Sequence, residues 1–240
     1  MGSFFADVSW RAKLLPVLWL FFIGVACTPA VAADAEDELG NWLIYNGTLR
    51  FSDKWSLFTE AQLRLWELAS NPQEFFVRGI GLYQTSENTQ LGFGYTWVKT
   101  EAFEDEVPDG TENRLIEQFS AKQRWLKSAV EHRFRLEQRW IEKEGDTTYQ
   151  NRFRYRLQAT TPLFKDTIGP RTHFLNVYNE IFLGFGNVDD TFDQNRLYGA
   201  YGWQFSKAAN LQLGALWQAK KREDFFRLQI FYTHNFDLRN

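Results

Sequence analysis

From about residue 40 onward, apolar and polar side chains alternate with a period of two. The clearest stretch is 131–140, "EHRFRLEQRW". Glu131, Arg133, Arg135, Glu137 and Arg139 take the odd positions, and His132, Phe134, Leu136, Gln138 and Trp140 the even ones. A helix there would put Val130, Phe134, Glu137 and Ile141 on one stripe, with a carboxylate inside the apolar face. A strand separates the two kinds far better, because its successive side chains point to opposite faces.

The same alternation predicts strands over 41–51, 55–67, 74–85, 89–99, 113–125, 129–142, 149–162, 172–186, 194–205, 210–220 and 224–236. Most of these run 11–14 residues. That exceeds the usual length of about 5–6 and suffices for the roughly 9–11 residues a tilted strand needs to cross a bilayer. Short connections at 52–54, 86–88, 126–128 and 206–209, with 164–171 somewhat longer, alternate with long or charged ones. The latter are 68–73, 100–112, 143–148, 187–193 and 221–223. Short periplasmic turns alternating with longer extracellular loops is the pattern of an outer-membrane barrel.

Tryptophan positions fit this expectation. Trp55, Trp125 and Trp203 adjoin short turns, Trp66, Trp97, Trp140 and Trp217 lie near the long connections, and Trp42 falls at the loop end of the first strand. Indole rings favour the headgroup level, so the spacing predicts two aromatic girdles. Eleven candidate strands conflict with the even number of bacterial single-chain barrels. The expectation is therefore an all-β, antiparallel transmembrane β-barrel of ten strands with the first outside the wall, or of twelve with two merged.

In a membrane barrel the apolar face meets lipid and the polar face lines the lumen. That assigns Glu131, Arg133, Arg135, Glu137 and Arg139 inward, with Arg152, Arg154 and Arg156 on the following strand. Residues opposite each other in a hairpin share a face, and each of three neighbouring registers gives Glu137 one of these arginines as partner. Glu60 and Arg64 share a face, as do Arg114, Lys122 and Arg124, while Glu180, Arg196 and Arg227 add charges from later strands. The predicted lumen is an ion-pair network with an excess of arginine. Guanidinium groups left over would bind carboxylate or phosphate, whereas full pairing would plug the barrel.

Composition changes the picture in a few places. Arg11 and Lys13, the apolar run 14–25 and Ala30-Val31-Ala32 read as a signal peptide over 1–32, which leaves 33–240 as one barrel domain. The only cysteine, Cys27, lies in that leader, and Gly24 stands where a lipoprotein signal needs an apolar residue. Without the leader, 25 basic and 29 acidic side chains remain, a balance of −4 that gives no hint of nucleic-acid binding. Aromatics at 18% are high for so charged a chain and match alternating barrel strands.

Candidate catalytic chemistry is thin. His132, His173 and His234 have no serine at a neighbouring position on the same face, so no nucleophile–base pair is expected and the chain does not read as an enzyme. No Cys/His metal spacing occurs, and no cofactor is expected. The acidic loops, with Glu101, Glu104, Asp105, Glu106 and Asp109 or with Asp189, Asp190 and Asp193, are solvated or bridge Ca²⁺ to lipopolysaccharide phosphates.

At "ENRLIEQ" (112–118), "EHRFRLEQRW" (131–140), "RFRYRL" (152–157), "NEIF" (179–182) and "FDQNRLYGAYGW" (192–203) the chain resembles a family of uncharacterised Gram-negative outer-membrane barrels, catalogued as a domain of unknown function. The resemblance extends over about 40–236 and rests on the Glu-x-Arg and Arg-x-Arg-x-Arg runs. It implies an outer-membrane β-barrel and brings no known substrate. Phe236 is the natural assembly signal, although Asp237–Asn240 follow it where such strands usually end. The partners to expect are outer-membrane lipid and lipopolysaccharide, the barrel-assembly machinery during biogenesis, and small anionic solutes in the lumen. A closed structural barrel is the alternative.

Overall fold

A computed structural model describes residues 38–103 and 107–239. They form β1 (Gly40–Arg50), β2 (Trp55–Glu67), β3 (Ser70–Gln84), β4 (Thr89–Thr100), β5 (Gly110–Trp125) and β6 (Ser128–Lys143). The second half holds β7 (Asp146–Pro162), β8 (Thr172–Phe185), β9 (Phe192–Gln204), β10 (Ala209–Lys220) and β11 (Asp224–Asp237). Every segment marked by alternation is a strand. The leader at 1–32, with Cys27, and Glu104, Asp105 and Glu106 of the acidic loop lie outside the described residues.

The strands close in chain order into one barrel, consecutive strands antiparallel and β1 parallel to β11. The expected ten or twelve strands are thus corrected to eleven. Successive strands reverse direction, so the first and last of an odd set run the same way and can meet only in parallel. β1 pairs along its whole length, from Gly40 opposite Arg227 to Arg50 opposite Asp237. A parallel pair is slightly weaker per residue, but closure removes both open edges.

The loop pattern also needs correction. Leu68-Ala69 and Glu144-Gly145 are two-residue turns where long connections were expected, and 163–171, expected shorter, matches 101–109 in length. Glu144 (φ 52°) and Gly145 (φ 87°) both sit in the left-handed region, as a two-residue hairpin turn requires. The strands extend past their apolar stretch into polar residues such as Asn71, Gln73, Thr147 and Thr148. Alternation fades there while the hydrogen-bonded ladder continues.

The outer face is apolar and exposed, with Phe93 62% accessible and Leu213, Phe226, Leu228 and Ile230 also open. The inner face mixes arginine and carboxylate with two apolar clusters, one of Trp42, Ile44, Tyr178, Tyr198, Ala200 and Leu216, the other of Ile80, Leu82 and Ile116. At Gly202 the Phe174 ring fills the space that a Cβ would take. Trp55, Trp125 and Trp203 face outward at one end of the barrel, and Trp97, Trp140 and Trp217 at the other. Trp42 and Trp66 do not join them. Both point inward, because each shares the parity of the arginine face and offers its ring to a guanidinium.

Candidate functional site

Register brings the predicted charges together on the inner wall. Glu137 stands opposite Arg152 across the β6–β7 hairpin. Its Oε2 accepts from Arg152 Nη2 at 2.6 Å and Nε at 2.8 Å, and its Oε1 accepts from Arg154 Nη1 at 2.6 Å. Glu180 on β8 accepts from Arg154 Nη2 at 2.9 Å and from Arg133 Nη2 at 2.7 Å. Glu112 holds Arg114 at 2.7 Å and Arg139 at 2.6 Å. Arg156 reaches Glu131 at 3.3 Å, and Lys122 reaches the same carboxylate at 3.5 Å. Glu60 pairs with Arg78 at 3.0 Å, and Glu74 with Arg64.

Three of the inward-facing arginines stand apart. Among the described residues no carboxylate pairs with Arg135, Arg196 or Arg227. Arg135 Nε donates to Gln118 Oε1 at 2.7 Å, Arg196 Nε to Gln194 Oε1 at 3.0 Å, and Arg227 Nη1 to the Glu38 carbonyl at 2.7 Å. Arg196 also lies over two aromatic rings, 5.0 Å from Trp42 and 4.7 Å from Phe182. Such contacts hold a guanidinium without neutralising it. Arg135 and Arg196 line an interior cavity of about 850 Å³. Arg227 does not; it is covered by Trp66 and Phe225.

Two further placements differ from expectation. Arg124 leaves the lumen, donating to the carbonyls of Leu126 and Asp166 at the rim, because β5 ends one residue later. Asp193, expected in an acidic loop, instead accepts from Arg152 Nη1 at 2.9 Å because β9 begins before it. Sequence reading also missed Glu74, Arg78 and Glu112. Glu112 was legible, two residues before Arg114 and so on its face. Arg78 was masked by Phe76 and Ile80, which made that face look apolar.

The two ends of the barrel differ in charge. Among the described residues, Lys54, Lys127, Lys165, Arg171, Lys207 and Arg239 outnumber Asp53, Glu87, Asp166 and Asp237 at one mouth. At the other, Glu101, Asp109, Glu144, Asp189, Asp190 and Glu223 outnumber Lys221 and Arg222 among the described residues. Beyond β11, Arg239 donates to Asp237 at 2.6 Å and to Asp53 at 2.5 Å, and these bonds hold its pKa above the ordinary arginine value. Asp190 pairs with Lys221 at 2.5 Å, and among the described residues no His/Cys/Asp/Glu group has the makings of a metal site. The histidines lie on the outer face, His132 beside the Tyr155 hydroxyl at 2.9 Å and His173 beside that of Tyr201 at 2.6 Å.

The family model described as "Protein of unknown function (DUF2490)" matches residues 39–229, a span that takes in β1 to β10 and the first part of β11. The chain belongs to that family. The Glu-x-Arg and Arg-x-Arg-x-Arg runs that build the ion-pair lattice all fall inside the matched span. No curated protein matches the chain, and no solved structure does.

Proposed function

We propose that this protein is an outer-membrane β-barrel, exported through the periplasm of a Gram-negative bacterium, that binds or passes small anionic solutes through its arginine-rich interior. The observation that carries the reading is the pair Arg135 and Arg196, facing an interior cavity of about 850 Å³ with no carboxylate partner among the described residues. A guanidinium in that position attracts an anion because its fork of donors matches carboxylate and phosphate. Exposed apolar side chains all round the outer wall and tryptophans at both of its ends support a bilayer setting, with lipid and lipopolysaccharide as neighbours. The barrel-assembly machinery would insert it. Outward histidines engaged with tyrosine hydroxyls support a non-catalytic role.

Conductance of the purified protein in a planar bilayer under a salt gradient tests the reading. Anion-selective steps are expected, and Arg196→Glu should shift the reversal potential towards cations. Orientation is checked by a cysteine at position 107, which should label from the cell surface, and one at 127, which should not.

A specific observation favours a second reading, a closed structural barrel. Glu137 is 0% exposed and locked between Arg152 and Arg154, which in turn hold Asp193 and Glu180. A folded barrel that stays silent in the bilayer would favour that lattice as a plug.

A further inference from the structure

Opposite the ion-pair lattice, the inner wall has a different chemistry. Register places Trp42 (β1), Gln229 (β11), Gly214 (β10), Ala200 (β9) and Asn176 (β8) in one row across five strands. Gly214 and Ala200 are small, and the ring of Tyr198, from the adjoining row, leans against Gly214. Four of these residues carry polar atoms that are closed off from water and have no hydrogen-bond partner among the described residues. They are Trp42 Nε1, both amide atoms of Gln229, Tyr198 Oη and Asn176 Oδ1. The residues themselves are 3%, 1%, 1% and 8% exposed. All four border the cavity that Arg196 lines.

An orphaned buried donor or acceptor is destabilising, and native proteins rarely keep several in one place without a use for them. We propose that this wall binds a polyhydroxylated carboxylate. The inference rests on the reading of the interior as an anion-binding cavity and names the class of anion. Arg196 and Tyr198 are alternate residues of β9, hence neighbours on the inner face roughly 7 Å apart along the strand. A carboxylate at Arg196 therefore sets the rest of the molecule against Tyr198, Trp42 and Gln229.

The orphans decide what that remainder is. Trp42 Nε1 needs an acceptor, Asn176 Oδ1 and Gln229 Oε1 need donors, and Tyr198 Oη serves as either. Acetate at neutral pH offers only acceptors, which suit arginine, and leaves the two amide oxygens unsatisfied. An uncharged polyol satisfies the amides and leaves the guanidinium alone. Hydroxyl groups on a carboxylate chain do both, once the side chains turn their closed-off atoms towards the cavity on binding. A cavity of about 850 Å³ has room for such a molecule, within the roughly 300–1,000 Å³ of small-ligand sites.

Titration calorimetry on the purified, folded protein in detergent, with gluconate, acetate and sorbitol as probes, tests the proposal. Gluconate should bind about tenfold or more tighter than either acetate or sorbitol. Tyr198→Phe should lower gluconate affinity, leave acetate affinity unchanged, and raise the midpoint of unfolding without ligand, since it deletes an orphaned hydroxyl. A merely structural hydroxyl would not give opposite signs for stability and binding. Gln229→Leu is the second variant, with the same selective loss for gluconate. Equal affinity for gluconate and acetate overturns the proposal and leaves the anion-binding reading standing. Tight gluconate binding that neither variant alters moves the site elsewhere and also overturns it. Failure of every anion to bind overturns the proposal together with the binding half of the reading it rests on, and anion-selective conductance then decides passage by itself.

Discussion

Replacing Glu137 with glutamine removes the charge at the centre of the lattice while keeping the shape of the side chain. Glu137 is fully buried and accepts from two guanidiniums, at 2.6–2.8 Å from Arg152 and 2.6 Å from Arg154. Breaking a buried ion pair from one side costs about 3–5 kcal/mol, because the partner charge is left uncompensated. Here each arginine keeps one carboxylate, Arg152 holding Asp193 and Arg154 holding Glu180. The loss should thus lie near the lower limit, about 3 kcal/mol. Glu131→Gln is the matched control. Glu131 is 24% exposed on its side chain and reaches Arg156 and Lys122 only at 3.3 and 3.5 Å. A pair of that kind contributes about 1 kcal/mol or less. Guanidinium-induced unfolding in detergent, followed by tryptophan fluorescence, measures both variants against the parent. Equal losses for the two would refute the claim that burial, and not the mere presence of an ion pair, sets the stability of this wall.

Other predictions bear on packing, surroundings and conduction. Gly202→Ala would drive a methyl group into the Phe174 ring, an overpacking worth about 1–3 kcal/mol, and Phe174→Leu in the same chain should restore most of the loss in the same unfolding assay. Glu117 points outward at mid-strand between Leu115 and Phe119, opposite Phe93 and Leu136. If lipid surrounds the wall, Glu117→Leu should stabilise the protein in vesicles by about 1–2 kcal/mol, and no gain there would argue against a bilayer at this height. The basic and acidic mouths should make the anion current larger in one direction than the other. Changing Lys54, Lys127 and Lys207 to glutamine should flatten that asymmetry in current–voltage curves, and an unchanged curve would mean the mouths do not gate entry.

Strand positions, the parity of each face and the pairing of Glu137 with an arginine were all determined by the sequence alone, since each depends only on a period of two and on one hairpin. Local alternation forces Arg152, Arg154 and Arg156 onto one side and Phe153, Tyr155 and Leu157 onto the other. Closure was not determined there. Whether eleven strands leave one out or join in parallel depends on β1 meeting β11, nearly the whole chain apart in sequence. The roles of Trp42 and Trp66 turned on face as well as height, and their ring contacts come from arginines on other strands. The same holds for the unpaired guanidiniums. Arg133 and Arg135 look equivalent along β6, yet Glu180 from β8 reaches only the first. A lattice that spans several strands is fixed by the registers of all of them together, so only the tertiary structure decides which charges cancel and which remain to meet a ligand.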